Sequence, residues 1–99
     1  MLLYIPMGKY TITKYTRQQA KKLGVTVKPS TNKTKKIDVF KHGEKVAAVG
    51  FNGMNDFPTY IRKKGITYAK TRRRLYKNRH EKDRHIVGSN GYYADKLLW

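Results

Sequence analysis

The excess of positive charge is the property of this sequence that most limits what the chain can fold into. Its 99 residues include 23 lysines and arginines but only six aspartates and glutamates, which gives a net charge of +17. So many like charges in a small body repel one another, and the native state must tolerate this repulsion or a partner must relieve it. The sequence therefore predicts a polyanionic partner.

The apolar residues are sufficient for only one modest core. A chain of this length is expected to form a single small basic domain over residues 1–99. Apolar side chains make up 38% of the residues, below the usual range of about 45 to 50%. Because eight of them are tyrosines, we expect an aromatic-rich core. The absence of cysteine excludes a disulfide framework and a thiolate nucleophile, and suits a reducing compartment.

The longest apolar run argues against a membrane partner. It extends from Met1 to Met7 and is interrupted by Pro6, whereas a membrane-spanning helix needs about 20 apolar residues. The run also lacks the basic region and the small-residue cleavage site of a signal peptide. We therefore expect a protein that is not secreted, with nucleic acid or an acidic protein as its partner.

The first third of the sequence predicts a strand and a short helix. Alternating apolar residues favour strand within Leu2 to Tyr15. The segment Arg17–Leu23 is typical of a helix, with Thr16 as its N-cap, Gln19 completing a capping box, and Gly24 at its C-terminal end.

The middle of the sequence predicts a loop and then a β-hairpin. Pro, Ser and Asn residues within Lys28–Lys36 indicate a flexible basic loop over residues 28–36. Two segments rich in β-branched residues, Ile37–Lys41 and Lys45–Phe51, flank the turn residues His42–Glu44. That arrangement favours an antiparallel hairpin.

The C-terminal half is predicted to be helical. Asp56 or Phe57 is expected to cap a short helix that Gly65 ends. Residues Thr67–Arg84 contain no Gly or Pro and predict a long basic helix, and Tyr92–Trp99 predicts a final short helix or extended anchor with a buried end. The expected fold is therefore α+β, with a hairpin or three-stranded sheet packed beside a long basic helix and a short C-terminal helix.

The predicted long helix has an apolar side and a basic side. The apolar side would comprise Tyr68, Ala69, Leu75, Tyr76 and His80. Positive charge is densest around this helix, because residues 62–84 contain 11 basic and two acidic side chains. We expect these cations and those of the basic loop to contact nucleic-acid phosphates. The candidate residues are Lys33, Lys35, Lys36, Lys70, Arg72, Arg73, Arg74, Lys77, Arg79 and Lys82.

Binding is expected to be largely independent of base sequence. The chain contains no signature of a helix-turn-helix, zinc finger or RNA-recognition domain. Binding through phosphates releases counterions and should therefore weaken steeply with salt. Five tyrosines interleaved with basic residues could stack on unpaired bases, although we interpret most of them as packing residues with their hydroxyls at the rim. They are Tyr10, Tyr15, Tyr60, Tyr68 and Tyr76.

The histidines do not predict a metal site or a catalytic site. His80 and His85 are five residues apart, whereas two zinc-binding histidines on one helical face are four apart, with a glutamate beside the first. His42 falls in the predicted hairpin turn. Because paired carboxylates, a phosphate-binding glycine loop and a Ser/His/Asp set are also missing, we expect a non-enzymatic protein without cofactor or metal. A metal-dependent nuclease is the weakest alternative.

Several short motifs resemble a family of small, uncharacterised basic proteins encoded by giant DNA viruses and some phages. The resemblance covers about residues 36–99. The motifs are Val49-Gly50-Phe51 with Gly53 and Asp56-Phe57, then Arg73-Arg74-Leu75-Tyr76 with Arg79-His80, then Gly91-Tyr92-Tyr93 with Leu97-Leu98-Trp99. The resemblance implies a viral origin and a location in the virion or in the nucleus or cytoplasm of an infected cell, but it implies no activity.

Two functions fit a small basic viral protein. The chain is expected either to bind and pack the genome, with double-stranded DNA as the favoured partner, or to serve as a minor structural or assembly protein that contacts capsid proteins. The motif residues themselves are interpreted as structural. In particular, Tyr76, His80, Tyr93, Leu97 and Trp99 are expected to lock the last segment against the long helix.

Overall fold

The computed structural model describes residues 10–99, which form four helices and one three-stranded sheet. The strands are antiparallel and lie in the order β1-β2-β3. This confirms the predicted α+β class. The elements are α1 (Lys14–Leu23), β1 (Thr26–Pro29), β2 (Lys35–Lys41), β3 (Glu44–Phe51), α2 (Phe57–Lys64), α3 (Ile66–Arg79) and α4 (Asn90–Leu98).

The hairpin between β2 and β3 is confirmed, with a tighter turn than predicted. Lys41 pairs with Glu44, so His42 and Gly43 alone form the loop. Both have positive φ, 53° and 79°, as the two central residues of a type I′ turn require. Histidine in this position is unusual, since a side chain with a Cβ is strained at positive φ.

The third strand of the sheet comes from the predicted basic loop and the residues just before it. Thr26–Pro29 pair with residues 37–40, and β2 begins at Lys35. Only residues 30–34 remain outside regular structure. Asp38 on β2 organises this turn, because its carboxylate accepts hydrogen bonds from the Ser30 hydroxyl and the Thr31 amide. The 28–36 loop prediction was therefore too long at both ends.

The strand predicted within Leu2 to Tyr15 is not found in residues 10–15, the part of this segment that the structure describes. Residues Leu2 to Lys9 lie outside the described residues. Residues 10–13 have no regular structure, and Lys14 already begins α1.

Helix α1 begins three residues earlier than predicted, with Thr13 rather than Thr16 as its N-cap. The Thr13 hydroxyl accepts a hydrogen bond from the Thr16 amide, and Gly24 ends the helix in the left-handed conformation, as predicted. The capping box of Thr16 and Gln19 was therefore wrong. Thr16 is instead fully buried, and its hydroxyl donates to the Leu97 carbonyl at 2.7 Å, so it fastens α1 to α4.

The short helix α2 has the predicted boundaries. The Asp56 carboxylate accepts a hydrogen bond from the Thr59 amide, Pro58 lies in the first turn, and Gly65 ends the helix. Gly65 has a φ of 89° and redirects the chain into α3, which packs against α2. We refer to α2 and α3 together, residues 57–79, as the helical arm.

The long basic helix ends five residues earlier than predicted. Helix α3 stops at Arg79, and residues 80–89 form successive turns that lead to α4. Although residues 80–84 favour a helix by composition, tertiary context can override this propensity. Asp83 packs so closely on Gly91 of α4 that an added Cβ there would lie 2.5 Å from its carboxylate.

The apolar core lies between the sheet, α1 and α4. It contains Ile12, Ala20, Val27, Ile37, Val39, Ala47, Val49, Tyr93, Leu97 and Leu98. Among the described residues, Tyr93 is the one buried aromatic member of this cluster, and Tyr10, Tyr92 and Trp99 are partly buried against it. The expected aromatic side chains therefore lie mainly around an aliphatic centre. The predicted burial of the C-terminal end is confirmed for Leu97 and Leu98, whereas Trp99 is half-buried.

Candidate nucleic-acid interface

The exposed cations of the helical arm form its most strongly charged surface. On α3, Lys70 and Arg74 are exposed one helical turn apart and so point the same way. Arg79 at the end of α3 and Lys82 in the following turn are also exposed. These four residues were predicted from the sequence.

The last turn of α2 extends this surface with three more exposed cations, Arg62, Lys63 and Lys64. They were not among the predicted contact residues, although they belong to the segment with the densest charge. We name the seven residues together the arm surface: Arg62, Lys63, Lys64, Lys70, Arg74, Arg79 and Lys82.

Two predicted contact residues, Arg72 and Arg73, hold the helical arm together. The guanidinium carbon of Arg73 lies 4.0 Å from the ring centroid of Phe57, and that of Arg72 lies 5.5 Å from the ring of Tyr60. Both arginines are half-buried. Cation–π contacts of this kind stabilise the packing of α3 on α2, while the charge of each arginine still adds to the field around the arm.

Lys36 is not a surface cation, and its prediction as a phosphate contact is corrected. Its residue is 4% exposed, and its ammonium donates to the Asp56 carboxylate at 3.0 Å. Strand β2 is buried on both faces from Lys36 to Val39, so this side chain is buried although it lies on the face opposite Ile37, and a buried charge requires a partner. Tyr10 donates to the same Asp56 oxygen at 2.6 Å.

Lys77 is likewise engaged with a buried carboxylate. Its ammonium donates to Asp95 on α4 at 2.8 Å, and Arg84 lies 3.7 Å from the other oxygen of Asp95. This ion pair ties the helical arm to α4, so Lys77 is only partly available to a ligand.

The two remaining predicted residues, Lys33 and Lys35, lie in the turn between β1 and β2 and at the start of β2. Lys33 is exposed in the turn 30–34, and Lys35 is half-buried with its ammonium 4.3 Å from the ring centroid of Phe51. Helix α1 adds exposed cations that the sequence analysis did not single out. They are Lys14, Arg17, Lys21 and Lys22.

The acidic residues explain why so much of the positive charge stays uncompensated. Asp38, Asp56 and Asp95 are each no more than 3% exposed, and each pairs with a lysine within the fold. Burial raises the pKa of Asp56, but hydrogen bonds from Thr59 and Tyr10 and the charge of Lys36 outweigh it and hold the pKa below its ordinary value. Half of the six acidic side chains therefore form ion pairs inside the fold and do not neutralise the exposed cations.

The pKa of Asp38 is set by the same two opposing effects, burial and contacts with donors. Burial raises its pKa, but hydrogen bonds from Ser30 and Thr31 and the nearby Lys45 bring the net pKa below its ordinary value. Of the other three acidic residues, Glu81 is bonded to Arg84 and His85, and Asp83 contacts His80.

The tyrosines act mainly in packing, as interpreted from the sequence. Tyr15 meets Phe57 edge to face, Tyr60 lies against Tyr68, and Tyr76 stacks on Trp99. Burial is the main reason that the pKa of Tyr76 is raised to about 12.

Tyr10 is held by its hydrogen bond to Asp56, and its pKa is raised chiefly by burial. Tyr68 is the most accessible of the five tyrosines considered for base stacking, since 44% of its surface is exposed.

The histidines of the segment after α3 each contact one carboxylate. Nδ1 of His80 lies 3.3 Å from Asp83, and Nε2 of His85 lies 2.9 Å from Glu81. Within residues 10–99, no group of three or more such side chains is placed to hold a metal ion. No helix in this part of the chain combines the length and apolar character needed to cross a membrane.

Comparison with known proteins gives no match to a protein-family model, a curated protein or a solved structure.

Proposed function

We propose that the protein binds the phosphate backbone of nucleic acid without enzymatic activity and largely without sequence preference, as a genome-packing protein of a virus would. Double-stranded DNA is the partner that we favour. The observation that carries this proposal is the distribution of charge, because three of six acidic side chains are buried in ion pairs while the arm surface is exposed. The arm surface therefore carries positive charge that a polyanion can reach, as do the exposed cations of α1.

The spacing of the exposed cations supports phosphate binding rather than base readout. Lys70 and Arg74 are about 6 Å apart along the axis of α3 at 1.5 Å per residue. Phosphates of one DNA strand repeat about every 3.4 Å along the duplex axis, so these two side chains are about two phosphate intervals apart and can each reach a different phosphate. Contacts of this kind position a protein on a duplex but carry no direct sequence information.

The central experiment measures duplex affinity and its dependence on salt. Fluorescence anisotropy with a labelled duplex of random sequence should show binding at low salt that weakens steeply as salt rises. If about six phosphates are contacted, the affinity should fall by roughly 10³ between 50 and 200 mM salt. Absence of binding at low salt, or binding indifferent to salt, would refute the proposal.

A matched pair of variants tests the location of the interface. The triple variant Lys64→Gln, Lys70→Gln and Arg74→Gln removes three charges from the arm surface, and Gln preserves helix propensity. The control Lys14→Gln, Lys21→Gln and Lys22→Gln removes three exposed charges from α1. In the arm variant, the slope of log affinity against log salt concentration should become shallower by about 0.9 for each phosphate contact removed. In the control, this slope should change less.

If the salt slope falls equally in both triple variants, binding depends on the overall charge of the protein rather than on the arm surface. Circular dichroism spectra should be the same for the two variants and the wild type, since all six side chains are exposed. If neither variant binds differently from wild type, the arm is not the interface.

A further inference from the structure

A cavity of about 300 Å³ lies between β3, the end of α3 and α4. Its floor is formed by small or aliphatic residues, among them Val49, Gly50 and Ala94, and Trp99 contributes an aromatic wall. The close approach of β3 to α4 depends on Gly50, where an added Cβ would lie 2.8 Å from the Leu98 side chain. We refer to this space as the Trp99 cavity.

The cavity brings together motifs that are far apart in the sequence. Gly50 and Phe51, Tyr76, His80 and Trp99 all line it, although they come from three separate segments. From the sequence, Gly50 was predicted to form a tight exit from the hairpin, and Tyr76, His80 and Trp99 were predicted to lock the C-terminal segment against the long helix. That interpretation is correct for the stack of Tyr76 on Trp99, whose rings lie 4.4 Å apart and within 9° of parallel, but it did not predict a cavity beside the stack.

Large apolar side chains stay exposed at the mouth of the Trp99 cavity. Phe51 is 62% exposed and Met54 is 66% exposed, and both line the cavity. Exposed residues of this size beside a concave surface are typical of a site that contacts a ligand. Aromatic and thioether groups of this kind favour a flat, polarisable ligand such as a nucleobase.

The lining of the cavity contains both signs of charge. The carboxylates of Asp56 and Asp83 contact Lys36 and His80, respectively, whereas two further cations, Lys35 and Arg79, can contact an anion. Arg79 is exposed, and the ammonium of Lys35 lies over the Phe51 ring. In the part of the chain that the structure describes, neither of them forms an ion pair with a carboxylate. His80 stands beside them with Nδ1 directed at Asp83, which leaves its Nε2 for another partner.

We propose that the Trp99 cavity binds a single unpaired nucleotide, with the base between Phe51 and the aromatic wall and the phosphate at Arg79 and Lys35. This inference rests on the proposed function, since it places one nucleotide of a bound strand beside the arm surface, to which Arg79 also belongs. A volume near the lower limit for ligand pockets, about 300 Å³, suits one nucleotide rather than a larger cofactor. A base within a duplex is stacked and paired, so only an unpaired base can enter.

Trp99 provides the measurement, because it is the only tryptophan in the chain and lines the cavity. Adenosine 5′-monophosphate should change its fluorescence in a saturable manner. Adenosine without the phosphate should bind about tenfold more weakly, since charged hydrogen bonds are lost, and inorganic phosphate alone should not change the emission. Equal affinities for adenosine and its monophosphate, or no saturable change, would overturn the inference.

Arg79→Gln and Arg17→Gln form a matched pair of exposed arginines. Arg79 lines the cavity, whereas Arg17 lies on α1, outside the cavity and the arm surface. Arg79→Gln should weaken the monophosphate by about tenfold without affecting adenosine, whereas Arg17→Gln should leave both affinities unchanged. If Arg79→Gln binds the monophosphate as well as wild type, the phosphate position is wrong.

Two DNA probes distinguish a free nucleotide from an unpaired nucleotide of a strand. A duplex with a short single-stranded overhang should bind wild type more tightly than a blunt duplex of equal charge, and Arg79→Gln should reduce this difference. If blunt and overhanging duplexes bind equally and binding still depends on salt, the protein binds the phosphate backbone, but the cavity does not bind an unpaired nucleotide of the strand. If the monophosphate binds but neither duplex does, the proposed function falls and the cavity is a site for free nucleotides.

Discussion

The two parts of the molecule are held together by different forces. The sheet with α1 and α4 contains the whole aliphatic cluster, including Ile37, Val39 and Leu97 at 0% exposure. The helical arm buries only Phe57 and Ala69. Its charged residues cannot form an apolar core, so the arm depends on cation–π contacts, aromatic stacking and ion pairs.

The contacts between these two parts are also polar or aromatic. Asp56, the cap of α2, receives hydrogen bonds from Tyr10 and from Lys36 of the sheet. At the other end of the arm, Lys77 of α3 pairs with Asp95 of α4. A surface this rich in cations therefore stays attached to the core through a few buried aspartates, which the following predictions test.

The largest loss of stability is expected for Asp56→Ala. The change leaves the Lys36 ammonium buried without its partner and removes the helix cap at the Thr59 amide. Breaking a buried ion pair in this way costs about 3 to 5 kcal/mol, measurable as the free energy of unfolding in urea. The double variant Asp56→Asn and Lys36→Met should recover much of this loss, because Asn can cap the helix and no charge remains buried. A cost below about 1 kcal/mol, as for surface pairs, would contradict this view.

A slightly smaller loss is expected for Leu97→Ala, which tests the aliphatic part of the molecule. Leu97 is fully buried, and truncation of such a leucine costs about 2 to 5 kcal/mol through lost burial and a residual cavity. Urea unfolding would again measure the change. As the matched control, Tyr68→Ala on the arm should cost far less, because that ring is 44% exposed. Equal costs would show that the arm is as well packed as the core.

Local sequence signals predicted much of the fold. The β2–β3 hairpin and the Asp56 cap with Gly65 at the end of α2 depend on residues within a few positions of one another. The exposed cations Lys70, Arg74, Arg79 and Lys82 were also predicted, since they follow from charge density and helical periodicity.

The errors arose where distant residues decide the outcome. Thr13 and Thr16 both suit a helix N-cap, and the choice depends on the bond from Thr16 to Leu97, which is 81 residues away. Lys36 belongs by sequence to a basic run, yet its environment is set by Asp56. The Trp99 cavity could not be predicted for the same reason, because no single segment contains its walls.

A fall in pH should destabilise the fold through Asp38 and Asp56, whose pKa values lie below their ordinary range. Such carboxylates contribute stability that is complete above the unfolded-state pKa of about 3.9 and is lost as the pH falls through the folded-state pKa. Melting temperatures measured from pH 6 down to about pH 2 should decrease, and Asp56→Asn should show a flatter profile. The effect should be smaller than that of Asp56→Ala, because a protonated carboxyl still forms hydrogen bonds. Parallel profiles for wild type and Asp56→Asn would exclude Asp56 as a cause.

The smallest effect is expected for Tyr76→Leu, which removes the aromatic stack between the helical arm and Trp99. Leucine retains an apolar but smaller side chain and loses the parallel contact at 4.4 Å, a pair contribution of about 0.5 to 1.5 kcal/mol beyond the buried area that is lost. Urea unfolding would measure the loss, and the emission of Trp99 should shift to longer wavelength as the ring becomes more hydrated. Tyr68→Leu is the control, because Tyr68 contacts Tyr60 within the arm and should leave the Trp99 emission unchanged. If Tyr76→Leu alters neither stability nor emission, the stack does not join the two parts, and their attachment depends on the aspartate ion pairs and on other aromatic contacts such as that of Tyr15 on Phe57.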